Sequence, residues 1–215
     1  MLGRLSGEPN VTLEEAPATM LKHQADAQRD ALLWGADASI IEDFSSDSPA
    51  LLLAFAGLHQ RFGMPVFEFD RITSRLPVKR LLMRDLTQSK YQQGVPGVGT
   101  GVDEVAAYLK RRIDATGCRR VVAVGGSAGG FAALLFGHLL EVEEVHAFSP
   151  QTFIDTENRA RYGDDRSEAI HANVNRDCAQ DRQYFDLANV FAANQVGTAF
   201  HVHYGNRHLL DYDSR

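Results

Sequence analysis

The fold is decided by one stretch of sequence, Val121-Val122-Ala123-Val124-Gly125-Gly126-Ser127-Ala128-Gly129-Gly130-Phe131. Its first four residues are apolar and mostly β-branched, which predicts a buried strand, and apolar residues recur at helical spacing after its end, which predicts a helix. Ser127 lies in the turn between them, with glycine two residues before it and two after it. Such a turn strains the serine backbone and pushes the hydroxyl out over the end of the sheet. Glycine is needed on both sides because strand and helix approach closely there.

The Gly125-x-Ser127-x-Gly129 turn resembles the nucleophile elbow of the α/β-hydrolase superfamily. The resemblance implies that Ser127 is the catalytic nucleophile and that the Ala128 amide donates to the oxyanion. In this superfamily the second donor comes from the loop after an earlier strand, which is Gly57 or Leu58 here. The alternative is a glycine-rich turn that binds nothing, or that binds an anion through its amides. A phosphate-binding loop is disfavoured because no Lys-Ser or Lys-Thr follows the glycines.

The elements around this turn alternate between strand and helix. Apolar runs predict strands over 39–41, 51–55, 79–83, 144–148 and 199–204, and helical periodicity predicts helices over 103–113 and 188–193. We therefore expect an α/β fold with a doubly wound, mostly parallel sheet in a single domain, residues 1–215. The polar, irregular segment 155–181 is expected to be a lid or insertion. Ligands bind at the carboxyl ends of the strands in such sheets.

The resemblance also implies an acid and then a histidine, in that order after the serine. Asp211 follows the last predicted strand and is the preferred catalytic acid, with Asp213 as the alternative. No histidine follows Asp211, and the sequence stops at Arg215, where the resemblance implies a final strand and the catalytic histidine loop. We expect these to be missing from this sequence; the alternative is a protein without the usual triad. His59 and His208 are then the candidate substitute bases.

A second resemblance extends from about residue 51 to 213. Three segments are similar to a bacterial subgroup of α/β-hydrolase-like proteins found with polysaccharide biosynthesis genes: 67–69, 79–97 and 147–153. This resemblance implies an acylated glycan as substrate. Four polar side chains at or after predicted strand ends are candidate substrate-binding residues, namely Arg84, Asp85, Tyr91 and Ser149. The alternatives are a structural ion pair for the first two and a plain loop for Tyr91.

The composition excludes several classes of function. A formal net charge of −6 argues against a nucleic-acid surface built on excess positive charge. Cys118 and Cys178 form no Cys-x-x-Cys motif, so neither a disulfide framework nor a structural zinc site is expected. His201 and His203 have the i, i+2 spacing of some metal ligands, but the sequence offers no evident third ligand, so no metal is predicted. No cofactor is expected, no apolar run has membrane-spanning length, and a cytoplasmic location is the default expectation.

Taken together, these features predict a serine hydrolase or acyl-transfer enzyme that acts on an ester through an acyl-enzyme. The substrate is expected to be a small molecule or a glycan ester. Two alternatives stay open at this stage: a thioesterase for a carrier-bound acyl chain, and a non-catalytic binding or scaffold protein that keeps the hydrolase fold.

Overall fold

The computed structural model describes residues 38–58 and 67–205, and these form a six-stranded sheet with connecting helices. The strands are β1 (Ile40–Asp43), β2 (Ala50–Phe55), β3 (Lys79–Met83), β4 (Arg120–Gly126), β5 (Glu144–Phe148) and β6 (Ala199–His203). The helices are α1 (Asp70–Thr73), α2 (Val102–Thr116), α3 (Ala128–Leu139), α4 (Thr156–Tyr162), α5 (Glu168–Asp177) and α6 (Leu187–Ala193), and a 3-10 helix spans Ala179–Tyr184. Within the described ranges, no helix combines the length and apolar character needed to cross a membrane.

The sheet has the order β1-β3-β2-β4-β5-β6, and β1 alone among the six runs antiparallel to its neighbour. This confirms the predicted α/β class and the mostly parallel, doubly wound sheet. The chain moves outward from β2 to β3, returns to the other side of β2 with β4, and continues outward to β5 and β6. The winding direction therefore reverses between β2 and β4. Their carboxyl ends open a crevice of the kind in which such sheets bind ligands, and Gly57 and Ser127 follow these two strands.

Helix α3 forms the centre of the core. Every residue from Ala128 to His138 is buried, as expected for a helix that is apolar on nearly all sides. Phe136 of this helix stacks on Phe55 of β2 with ring centroids 5.5 Å apart, and Tyr91 meets Phe55 edge-on at 5.7 Å. Because the serine turn directly precedes α3, it is anchored to a helix that is buried from its first residue.

Helix α2 begins and ends close to the predicted positions, with a different cap at its start. The sequence predicts a capping box between Thr100 and Asp103. In the structure the Glu104 carboxylate fills this role, since it accepts from the Thr100 amide at 2.8 Å and from the Thr100 hydroxyl at 3.0 Å. The longer glutamate side chain reaches back one residue further than aspartate can. The helix ends at Gly117 in the left-handed conformation, with φ of 62°, as predicted.

Residues 155–181 contain regular structure that the sequence analysis does not predict. They form α4, α5 and the start of the 3-10 helix. Asp155 caps α4 by accepting from the Asn158 amide at 2.7 Å, and Gly163 ends this helix with φ of 64°. The prediction of an irregular segment is therefore wrong. Both helices are short and carry few apolar residues, so periodicity gives almost no signal, whereas the aspartate and glycine caps could have marked α4. A lid function for this segment stays a prediction.

Candidate active site

Ser127 occupies the strained turn between β4 and α3. Its backbone has φ of 52° and ψ of −117°, a combination that a residue with a side chain rarely adopts. The strain is held in place by two backbone hydrogen bonds: the Ser127 amide donates to the Phe148 carbonyl at 2.8 Å, and the Phe131 amide donates to the Ser127 carbonyl at 3.0 Å. Ser127 is exposed and precedes a helix, yet its side chain makes no capping hydrogen bond. The hydroxyl is therefore available for chemistry.

The two glycines that flank Ser127 are required by close backbone approach. A Cβ atom on Gly125 would lie 2.0 Å from the Gly129 carbonyl oxygen, and a Cβ atom on Gly129 would lie 2.1 Å from the Phe55 carbonyl oxygen. Real Cβ atoms do not approach other atoms so closely. The sequence predicts glycines at this spacing because strand and helix approach closely. The structure shows this approach, since β4, α3 and the end of β2 meet at the turn.

Ala128 and Gly57, two of the predicted oxyanion donors, lie beside the Ser127 turn. Ala128 is the first residue of α3, so its N–H has no helical carbonyl one turn earlier to bond with, and it lies at the positive end of the helix dipole. Gly57 lies on the other side, after β2, where a Cβ atom would be 3.3 Å from the Gly126 carbonyl oxygen. Leu58 follows it and is buried. Ala128 at the start of α3 and Gly57 in the loop after β2 are therefore neighbours of the serine turn, and β2 and β4 are adjacent strands.

Glu68 is a neighbour of this turn that the sequence analysis does not select. Its carboxylate oxygens lie 3.2 Å from the Cβ position of Gly57 and 3.7 Å from that of Gly126. The side chain is half-buried. Glu68 enters the sequence analysis only as part of the segment 67–69 that carries a family resemblance. It does not follow a predicted strand, so no positional argument pointed to it.

Tyr91 belongs to the core and does not face a substrate. Its side chain is completely buried, and its hydroxyl donates toward the Ala56 carbonyl at 2.9 Å and the Met83 carbonyl at 3.1 Å. Burial, together with the charges of Asp85 and Glu68, raises the pKa of the Tyr91 phenol well above its usual value. The expectation that Tyr91 stacks on a sugar is therefore not supported. Its hydroxyl instead bonds to the backbone just after β2 and at the last residue of β3.

Arg84 and Asp85 are also buried, with 4% and 6% of their surface exposed. The Asp85 carboxylate accepts from the Thr87 amide at 3.0 Å, the Thr87 hydroxyl at 2.7 Å and the Tyr91 amide at 3.0 Å. The Arg84 guanidinium lies 5.9 Å from the centre of the Phe67 ring. These contacts give Asp85 a structural role in the loop after β3 and place Arg84 near Phe67, and the ion-pair alternative stays a prediction.

Ser149 lies at the end of β5, beside the serine turn. Its backbone has φ of 44°, and its amide donates to the His203 carbonyl at 2.6 Å. The side chain is half-buried, and the next residue, Pro150, packs against Gly130 at the start of α3. Of the four predicted substrate-binding residues, Ser149 is the one whose position remains compatible with that role.

A buried polar cluster fills the space between the loop after β3 and helices α4 and α5. Lys90 and His171 are 1% and 3% exposed, and Asp164 receives hydrogen bonds from Gln151 at 2.8 Å and from Arg166 at 2.9 Å. Burial lowers the pKa of Lys90 to about 7 even though Asp164 opposes the shift. Burial and the nearby Lys90 lower the pKa of His171 to about 3. The hydrogen bonds to Asp164 outweigh its burial and lower the pKa of its carboxyl.

This cluster borders a cavity of about 410 Å³. Charged and polar side chains from α4, α5 and the turn between them line much of it, among them Arg159, Asp164, Glu168 and His171. The cavity lies in the segment that the sequence predicts as a lid or insertion.

The predicted acid and both predicted substitute bases, Asp211, His59 and His208, lie outside the described residues. The roles of these three side chains therefore stay predictions from the sequence.

No protein-family model matches this sequence, and no curated protein matches it. Among solved structures, the chain is similar to the capsule O-acetyltransferase of Neisseria meningitidis serogroup A, with 15% identity and a TM-score of 0.54 over 81% of this chain and 74% of that one. The same acetyltransferase in complex with caged gadolinium gives 12% identity and a TM-score of 0.53 over 77% of this chain and 82% of that one.

A chain of the Glycosylation Associate Protein (Gap123) complex from Streptococcus agalactiae has 13% identity and a TM-score of 0.47. This match covers 77% of the present chain but only 40% of the other. Likeness at such identities concerns the fold. The sheet order, the strained serine turn after β4 and the similarity to the acetyltransferase agree with one another, and the chain has an α/β-hydrolase fold.

Proposed function

We propose that this protein transfers or hydrolyses acyl groups of esters through an acyl-enzyme formed on Ser127. The observation that carries the proposal is the Ser127 turn itself. Ser127 is exposed, its backbone is strained, and its hydroxyl does not cap the helix. The turn also requires two glycines. Such a turn lowers the stability of the fold, and the serine side chain contributes nothing to packing. Strain of this kind persists at sites where it serves function.

The proposed reaction has two steps. Ser127 Oγ attacks the carbonyl carbon of the ester and gives its proton to a base, and the negative oxygen that forms accepts hydrogen bonds from the Ala128 amide and from the Gly57 or Leu58 amide. The C–O bond to the alcohol then breaks, and the alcohol leaves with the proton. In the second step water or an acceptor hydroxyl attacks the acyl-enzyme and releases Ser127.

The base and the acid in this scheme are taken from the sequence predictions. His59 and His208 are the candidate bases within this chain, and Asp211 is the candidate acid. A serine turn without its base retains only the catalysis that the oxyanion donors and binding supply.

We further propose a glycan hydroxyl as the acyl acceptor or a glycan ester as the substrate. Two features support this choice. Two of the similar structures, both with TM-scores above 0.5, are those of a capsule O-acetyltransferase, and charged and polar side chains are among those that line the cavity in segment 155–181.

The first test is labelling with a serine-directed fluorophosphonate. We expect the wild-type protein to be labelled at one site and the Ser127→Ala variant to lose the label with its circular dichroism unchanged. Ser167→Ala is the matched control, because Ser167 is also exposed, also has φ of 52° and also precedes a helix, but it lacks the flanking glycines. Label that persists in Ser127→Ala would show that another residue is the nucleophile, and a wild-type chain without label would favour the non-catalytic alternative.

A further inference from the structure

Three histidines and a glutamate lie on one face of the sheet at β5 and β6. Side chains alternate between faces along a strand, so Glu144 and His146 of β5 share a face, as do His201 and His203 of β6. The strands are parallel and in a register that pairs His146 with His201. Four side chains capable of binding a metal are thereby brought together on neighbouring strands.

The distances within this cluster are short. His146 Nε2 lies 3.4 Å from Glu144 Oε2, and the nearest ligand atoms of Glu144, His146 and His201 all lie within 4.8 Å of one another. A tetrahedral zinc ion with bonds of about 2.0–2.1 Å holds its ligand atoms about 3.3 Å apart. The first distance already matches this geometry. The His201 ring is exposed and stacks on the His146 ring with centroids 4.6 Å apart, so the ring must rotate out of this stack to complete the site.

We propose that Glu144, His146 and His201 bind a divalent transition metal ion, with Zn²⁺ as the best fit. Two imidazoles and one carboxylate form a donor set that zinc accepts, and the harder Mg²⁺ and Ca²⁺ prefer oxygen ligands alone. Three protein ligands leave a fourth position open for water.

Two further residues hold the ligands in place. His203 Nε2 lies 3.2 Å from His146 Nδ1, so when His146 donates its Nδ1 hydrogen to His203, its Nε2 carries the lone pair that faces Glu144. Arg120 binds the other carboxylate oxygen, Glu144 Oε1, at 2.5 Å and leaves Oε2 turned toward His146. Partners of this kind orient metal ligands and fix the histidine tautomer.

The sequence suggested His201 and His203 as a possible ligand pair without a third ligand. In the structure the register of β5 against β6 brings Glu144 and His146 next to His201, so the proposed ligands are these three residues. In the proposed site His203 becomes a positioning residue. A metal ion bound there would join β6, the last strand of the described sheet, to β5.

The test is direct metal binding by the untagged chain, after dialysis against a chelator. Titration with Zn²⁺ in a calorimeter should show saturable one-to-one binding, Co²⁺ should give the visible absorption of a tetrahedral site, and Zn²⁺ should raise the melting temperature. Glu144→Gln, His146→Ala and His201→Ala should each weaken Zn²⁺ binding at least tenfold, and His203→Ala should weaken it about tenfold with the ligands intact.

Glu143→Gln is the matched control. Glu143 is the neighbour of Glu144, is exposed and also pairs with Arg120, at 3.5 Å, but it precedes β5 and lies outside the group formed by Glu144, His146 and His201. Its variant should bind Zn²⁺ as the wild type does. The proposal is overturned if the wild-type chain shows no saturable Zn²⁺ binding. It is equally overturned if the three ligand variants bind Zn²⁺ within twofold of the wild type. Neither outcome depends on whether Ser127 is catalytic.

Discussion

At the scale of single residues, the serine turn depends on glycines, because there is no room for a Cβ atom at these positions. We predict that Gly129→Ala lowers the free energy of unfolding by about 3 kcal/mol. The new methyl group would lie 2.1 Å from the carbonyl oxygen of Phe55, the last residue of β2, and this backbone atom cannot move aside as the end of a flexible side chain could. Urea unfolding, followed by circular dichroism, measures the change.

The next glycine provides the control for this substitution. A Cβ atom on Gly130 would meet the Pro150 side chain at 3.1 Å, a contact that a shift of a few tenths of an ångström relieves. Gly130→Ala should therefore stay within about 1 kcal/mol of the wild type, because alanine also favours the helix. Equal stabilities for the two variants would mean that the turn is not held by the close approach at Gly129.

The residues that sequence could identify are those whose role is fixed by local geometry. Ser127 and its glycines were predictable because the turn needs those residue types at that spacing whatever surrounds it. Tyr91 was misjudged because its position after a strand end suggests exposure, whereas its ring is buried by contacts with distant residues. Glu68 was missed for the same reason, since its place beside Gly57 depends on tertiary packing.

At the scale of elements, a buried ion network joins α1 to β1 and β3. Arg80 of β3 is 3% exposed, binds Asp70 of α1 at 2.9 Å and also pairs with Asp43 of β1. We predict that Asp70→Ala lowers the free energy of unfolding by about 3 kcal/mol, because it leaves part of a buried positive charge uncompensated. Chemical denaturation at pH 7 tests this.

An exposed pair on α2 gives the comparison. Lys110 and Asp114 are 2.7 Å apart, but each is about 60% exposed, so water screens their attraction. Asp114→Ala should change stability by no more than about 0.5 kcal/mol. If Asp70→Ala and Asp114→Ala lower the free energy of unfolding by the same small amount, the ion pair of Arg80 with Asp70 does not stabilise the fold more than an exposed pair does.

Elements with a continuous apolar run could be predicted from the sequence, and short polar ones could not. All six strands were located within one or two residues because each contains apolar residues in a run or in alternation, although β6 itself is largely exposed. Helices α4 and α5 lacked that signal; α4 has an aspartate cap at its start, and both helices border the buried cluster of Lys90, Asp164 and His171. The proposed metal ligands escaped prediction because strand register, which no local pattern encodes, brings them together.

At the scale of the whole molecule, stability should depend on pH through a buried amine. The folded protein lowers the pKa of Lys90 to about 7, whereas the unfolded chain has the ordinary value of 10.5. Between these values the unfolded state holds a proton that the folded state does not. The free energy of unfolding should therefore fall as the pH decreases from 10 to 7, by up to about 1.4 kcal/mol per pH unit, and this contribution should level off below pH 7, where both states are protonated.

Lys90→Met isolates that contribution, because methionine keeps an apolar stem of similar length and removes the amine. We predict that the variant is more stable than the wild type at pH 7 and that the difference shrinks as the pH rises to 10. Urea unfolding at several pH values in this range provides the measurement, with Lys110→Met as the control, since Lys110 is 61% exposed and should leave the slope unchanged. If Lys90→Met and the wild type had parallel pH profiles, Lys90 would have to be charged in the folded state throughout this range. The buried cluster would then have to stabilise that charge through Asp164, the carboxylate that favours its protonated form.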